Sequence, residues 1–307
     1  MKWLFLVNDN SYLMGFLGRL AHQAVKEQDS CLVVINSKIV EYEKKKLFPE
    51  KAKFISKVDW LVENYHEDRK EFGDLSWREI FIYEILDVNY NYSLRLFSQL
   101  YQFFGFIFAE EKPDIVISEP PGGLFHQIAY YFCKKNNIPY LGLGSSKFSD
   151  RLDVYDKDFT CAKYEETFNS LKDNSFPAGE EKFAKNFTEN FISHQSLPPY
   201  MGLAKIHFSQ IEVIKHFFKR IKEAGPSLFK YLKKRKHFKD FDYESEAILK
   251  CAIRAPWKTE KRKFNIFFQN RIFKNLNNDK DFFLFPLHFQ PEASTSVYAT
   301  YYCDQLN

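Results

Sequence analysis

The chain has no run approaching the roughly 18 apolar residues of a membrane-spanning helix. Its first apolar run, Trp3 to Val7, is also shorter than a signal-peptide core and closes at Asn8-Asp9-Asn10. Paired cysteines are missing. Cys31, Cys133, Cys161, Cys251 and Cys303 are odd in number and scattered, with no CxxC spacing, which argues against a disulfide framework or a zinc site. A reducing cytoplasm is the expected compartment. A strong charge bias is missing as well: 44 Lys and Arg stand against 40 Asp and Glu, for a net charge of +4. Basic excess is local rather than global, so nucleic acid is not an expected partner. There is no internal repeat. No loop carries a persuasive DxD pair either. Asp240-Phe241-Asp242 fits by letters but lies in a basic helical region, so no metal is expected.

What is present is ordinary in bulk: 45% hydrophobic and 27% charged residues over 307 positions, enough for one large or two modest domains. Aromatics reach 18%, with 34 Phe and 18 Tyr. Alongside abundant Lys and Asn, this reads as coding bias and carries no functional signal.

Short apolar runs bounded by polar turns recur at 3–8, 31–36, 52–56, 113–119 and 138–144, and each reads as a buried parallel strand. Helical patterns lie between them. Leu13, Phe16, Leu17, Leu20 and Ala24 share one face of a helix over about 12–28. A second helix covers the IVEYEKKKLF segment. A long amphipathic helix over 76–110 opens on a Ser76/Glu79 capping box. A further helix spans 122–137. This alternation predicts an α/β fold, a Rossmann-like parallel sheet domain over 1–150. From 151 to 280 strand signals disappear, and helices are expected at 163–172, 179–193, 204–223, 227–238 and 243–275. Residues 281–307 return to a strand-and-loop pattern.

Ligands of open α/β sheets sit beyond the carboxyl ends of the strands. Three segments fall there: Asn8-Asp9-Asn10 with Tyr12, Ser118 to Gly123, and Gly142 to Ser146. Glu119 is the leading candidate for a general base, because a half-buried carboxylate at a strand end can take a proton from an acceptor hydroxyl. Gly122 and Gly123 then let a ligand approach the backbone. His126, one turn into the next helix, faces the same cleft or serves the core. Gly142-Leu143-Gly144 lacks the third glycine and the acidic residue of a dinucleotide fingerprint. Ser145, Lys147 and Arg151 beside it suit an anionic sugar or phosphate, or Lys147 and Arg151 are plain solvated surface charges.

Residues 215–239 hold ten Lys and Arg at positions 215, 219, 220, 222, 230, 233, 234, 235, 236 and 239, interleaved with Phe and Leu, against Glu223. That pattern suits an anionic membrane surface, or a solvated helical face beside a core. The first alternative gives a peripheral location at the inner face of the cytoplasmic membrane.

The most specific stretch is Phe285-Pro286-Leu287-His288-Phe289-Gln290-Pro291-Glu292-Ala293-Ser294-Thr295. A strand here feeds a proline-punctuated polar loop, and Ser294 and Thr295 stand where a helix start offers N–H groups to a phosphate.

These residues, with Asp304-Gln305, resemble the capsule polysaccharide and surface-carbohydrate biosynthesis family. Their QPE element is similar to that of bacterial Kdo transferases using CMP-activated sugar. The KPDIVISE and NNIPYLGLGSSKFSDR segments look like the same family's amino-terminal half, with Lys147 where an Arg is common. The resemblance is dense at 112–151 and 282–305. It implies a GT-B architecture, an acceptor-side domain followed by a nucleotide-sugar domain, and a glycosyltransferase that acts on a lipid-linked or polysaccharide acceptor. A CMP- or UDP-linked sugar would be the donor substrate, with no separate cofactor. Glu119, Glu292 and His288 would be the catalytic residues. Gln290, Ser294, Thr295, Gly122, Gly123, His126, Ser145 and Arg151 would bind substrate. The family continues past the DQ element with a downstream His-Pro motif. The 27 residues from Asp281 are too few for a Rossmann domain, so a truncated chain with little activity alone is expected. A sugar-nucleotide epimerase of similar fold and a non-catalytic membrane-associated scaffold are the alternatives.

Overall fold

The structure is a computed structural model that describes residues 1–8, 11–67, 90–146, 152–155, 162–172, 174, 177–194 and 225–250. Its centre is a six-stranded sheet of order β3-β2-β1-β4-β5-β6, formed by β1 (Lys2–Val7), β2 (Ser30–Ile35), β3 (Lys53–Ser56), β4 (Ile115–Ser118), β5 (Tyr140–Ser145) and β6 (Leu152–Tyr155). All neighbouring pairs are parallel except β5 with β6.

The apolar runs form strands because they are buried on both faces. In β1, Leu4 and Leu6 enter one core together with Leu32, Val34 and Val116. Phe5 and Val7, alternating with them, enter the opposite core with Val33, Ile35 and Ile117. Helix α1 (Ser11–Lys26) covers the second face through Leu13, Leu17, Ala21 and Ala24. Helices α3 (Lys57–Asn64), α4 (Tyr90–Phe106) and α5 (Leu124–Lys135) cover the first. That face is rich in rings. Trp60 meets Phe103 and Phe106 with centroids 5.5 and 5.2 Å apart, and Phe104 meets Phe125 at 5.1 Å. Helices α6 (Ala162–Leu171) and α7 (Ala178–His194) follow the sheet.

Local chemistry fixes the element ends. Ser37 caps α2 (Lys38–Lys44) and Ser56 caps α3, each accepting from a backbone N–H three residues on. Helices α1 and α5 stop at left-handed residues, Gln28 (φ 66°) and Asn137 (φ 55°). In each case the following N–H, of Asp29 or Ile138, returns to a carbonyl five residues back, as in a Schellman motif. At the amino edge of the sheet, the buried carboxylate of Glu111 bridges Lys2 of β1 and Lys53 of β3. Burial pushes this carboxyl up, but the two ammonium groups outweigh it and hold the group below its usual range.

One feature departs from the sequence reading. The sheet does not end near residue 150, because Leu152–Tyr155 adds an antiparallel edge strand where no strand was expected. The segment 225–250 is helical, as expected, and of the two alternatives for its basic stretch the helical face beside a core is seen directly. It forms helix α8 (225–238) and helix α9 (243–250), and Tyr231 and Phe238 of α8 are buried against Ile39 and Val58. The expected capping box at Ser76 and the helix 204–223 lie outside the described residues.

Candidate functional site

The strand order reverses between β1 and β4. Chain connections leave β1 toward β2 and β3 on one side and reach β4 and β5 on the other. In open α/β sheets such a topological switch point is where ligands bind, beyond the carboxyl ends of the two strands. Register places Phe5 opposite Ile117, so Asn8 and Glu119 emerge side by side from adjacent strand ends. The seam is pinned by the Ser118 hydroxyl, which donates to the Leu6 carbonyl at 3.2 Å.

The Asn8 side-chain amide donates directly to Glu119 Oε1. His126 Nε2 lies 3.6 Å from the same oxygen, with the imidazole 4% and the carboxylate 16% exposed. That distance is beyond a hydrogen bond, yet within range for an ion pair once the imidazole is protonated. The Tyr140 hydroxyl, from β5, donates to the Glu119 carbonyl at 2.8 Å and holds the backbone at this turn. Pro120 then accepts from Gly122 N–H at 2.7 Å, and Gly123 becomes the N-cap of α5 with no side-chain cap of its own. The turn therefore presents a carboxylate with one amide donor fixed on it and an imidazole behind it. Such a group can hold a hydroxyl and accept its proton.

Neither a protein-family model nor a curated protein sequence matches this chain.

Of the sequence candidates, Glu119, Gly122, Gly123 and His126 come together at one turn. Ser145 ends β5, opposite Leu152 of β6. Arg151, His288, Gln290, Glu292, Ser294 and Thr295 lie outside the described residues. Gly142 and Gly144 are not loop glycines. Both lie inside β5, where a Cβ would stand 3.1 Å from Pro120 Cα and 2.8 Å from the Tyr155 ring, respectively. Glycine at these positions lets the Glu119–Pro120 turn and the edge strand close onto β5.

Sequence reading missed two features. Asn8 was noted only as a strand-end residue, yet it is the side chain that orients Glu119. The second feature is at the carboxyl end of β2, where dinucleotide-binding sheets carry their ribose-binding acid. Here the turn between α8 and α9 fills that place. Asp242 accepts from the Lys38 N–H at 2.9 Å and from the Ser245 N–H at 3.1 Å, and the Ser245 hydroxyl accepts from the Ile39 N–H at 3.1 Å. Lys57, fully buried at the end of β3, pairs with Glu244 at 2.8 Å. Burial drives the Asp242 carboxyl up to about 6 against the pull of Lys57. Asp242 is thus a structural anchor, not half of a metal-binding pair. No group of three or more His, Cys, Asp or Glu side chains that could hold a metal is found among the described residues.

Proposed function

We infer that this chain supplies the acceptor side of a nucleotide-sugar-dependent glycosyltransferase of GT-B type that builds capsular or surface polysaccharide. The observation that carries the reading is the Asn8–Glu119–His126 cluster at the switch point of the sheet. Glu119 takes the proton of the acceptor hydroxyl while that oxygen bonds to the anomeric carbon of the donor sugar. The bond from that carbon to the nucleotide phosphate breaks, and the nucleotide leaves with the electron pair. Asn8 aims the carboxylate. His126 lies against it as a positioning residue. On the donor side, the loop carrying His288, Gln290 and Glu292 would edge the cleft, and Ser294 and Thr295 would meet the donor phosphate. Cationic and N–H groups there would stabilise the departing phosphate. The acceptor is lipid-linked or polymeric, and the donor is a CMP- or UDP-sugar.

Two observations weigh against an epimerase that works by hydride exchange with a bound dinucleotide. The first βα connection reads Asn8-Asp9-Asn10-Ser11, with no glycine before Gly15. The ribose position after β2 is taken by Asp242 and Ser245.

The test is sugar transfer in membranes from cells expressing the gene at its native locus, with labelled CMP- and UDP-sugars supplied. Glu119→Gln keeps the shape and removes the base. Transfer should fall by about 10²- to 10⁴-fold with unchanged protein level. A variant that transfers at the wild-type rate refutes the assignment.

A further inference from the structure

Helix α8 divides its residues sharply. Ser227, Tyr231 and Phe238 face inward and are buried. Phe229 and Leu232 are large apolar side chains that point the other way, 60% and 49% exposed. At 100° per residue, Phe229, Leu232, Lys233 and Lys236 fall within one outward sector, about 180° from the buried stripe. Lys230, Lys234 and His237 are exposed as well. The Lys233 ammonium rests over the Phe229 ring, 4.5 Å from its centroid, so the cation and the ring act as one surface. An open groove of about 630 Å³ runs beside this sector, lined among others by Leu232, Lys233, Lys236 and His237.

The helix is held rigidly in this orientation. Its inner side is fixed by the Tyr231 hydroxyl on Glu246 at 2.9 Å, by the two-pronged Arg235–Glu246 pair, and by the Asp242 anchor. Arg235 is thereby spent on the fold, and the lysines of the outer sector are not drawn into that pairing.

We propose that the outer face of α8 docks onto an anionic phospholipid bilayer, with Phe229 and Leu232 entering the headgroup boundary and Lys233 and Lys236 meeting lipid phosphates. Charge complementarity selects this occupant: a row of lysines flanking two apolar side chains matches a negatively charged, apolar-cored surface. Helix α8 packs through Tyr231 and Phe238 on Ile39 of α2 and Val58 of α3, the helices that follow β2 and β3, so its outer face stays open for docking. The surface stands on its own geometry, whether or not the Glu119 site transfers sugar.

The experiment is co-sedimentation of the protein with vesicles of phosphatidylcholine alone and of phosphatidylcholine with phosphatidylglycerol, at low and physiological salt. The wild type should bind only the anionic vesicles, and binding should weaken as salt rises. Phe229→Ser with Leu232→Ser, and separately Lys233→Glu with Lys236→Glu, should each weaken binding at least about 10-fold. Lys134→Glu with Lys135→Glu makes the same charge change at the far end of α5, and it should bind like the wild type. Circular dichroism and the thermal midpoint verify that each variant folds. A serine pair that does not fold is replaced by Phe229→Gln with Leu232→Gln. Equal binding to neutral vesicles overturns the proposal. So does wild-type binding by the α8 variants, or equal loss in the α5 control. A doubled mass in light scattering that is lost with Phe229 and Leu232 assigns the face to a second copy of the chain. Vesicle binding abolished by stoichiometric RNA assigns it to nucleic acid. Either outcome also overturns the proposal.

Discussion

Asp242→Asn isolates the anchor that ties α8 and α9 to the sheet. Burial lifts the wild-type carboxyl from 3.8 to about 6, with Glu244 adding to the rise and Lys57 and the two N–H donors opposing it. A raised carboxylate binds its proton more tightly in the folded state than in the unfolded state. Between pH 3.8 and about 6 the folded protein therefore holds the extra proton. The Asp242 contribution to stability falls as pH rises through that window and is flat above it. A difference of about 2 pH units at about 1.4 kcal/mol each amounts to ~3 kcal/mol. The amide cannot titrate, so this slope should be missing from the variant. It also keeps only one acceptor oxygen for the Lys38 and Ser245 N–H groups, a pH-independent loss of ~1–3 kcal/mol. Urea denaturation of both proteins from pH 4 to 7.5, followed by tryptophan fluorescence, gives the difference curve. Other titrating groups, Glu111 and Glu246 among them, cancel in the subtraction. The variant should gain on the wild type by ~2 kcal/mol between pH 4 and 7.5, most of it below pH 6, and the curve should level off above that. A flat difference curve, or one of opposite sign, would refute the buried Asp242 anchor.

Two further substitutions test the packing that positions the site. Gly18→Ala drives a Cβ into the Leu47 backbone carbonyl oxygen, which cannot turn aside as a side chain could. Overpacking of this kind should lower unfolding stability by ~1–3 kcal/mol, read from the urea midpoint at unchanged m-value. Gln28→Gly relieves a left-handed residue at the end of α1 and should raise stability by ~1 kcal/mol in the same assay; a loss would mean that the helix does not end there.

The strands were legible because a run such as Leu4-Phe5-Leu6-Val7 is buried on both faces and needs no polar alternation. The α1 stripe was legible from its helical spacing, and Leu13, Leu17 and Ala24 are all buried. Strand β6 was not, since Leu152–Tyr155 is a short, half-polar edge whose Asp153 breaks the apolar run. Glu119 and His126 could be found locally, one turn apart after a strand. Asn8 could not be joined to them without knowing that β1 lies beside β4, across 111 residues of chain. The Asp242 anchor is harder still, because a carboxylate that caps an N–H 204 residues away leaves no periodic trace. Tyr231 and Phe229 illustrate the same limit. Both looked like interleaved aromatics in a basic run, and only the phase of α8 decides that the first is core and the second is surface.

The proposed transfer requires an acceptor hydroxyl to meet Glu119 at the carboxyl ends of β1 and β4. The most direct measurement is NMR of the protein labelled at side-chain carboxyl and imidazole carbons, titrated with acceptor saccharides. The Glu119 carboxyl and His126 ring signals should move together, saturably, while that of Asp242 stays fixed. Saturable binding that leaves Glu119 and His126 unmoved would contradict the account.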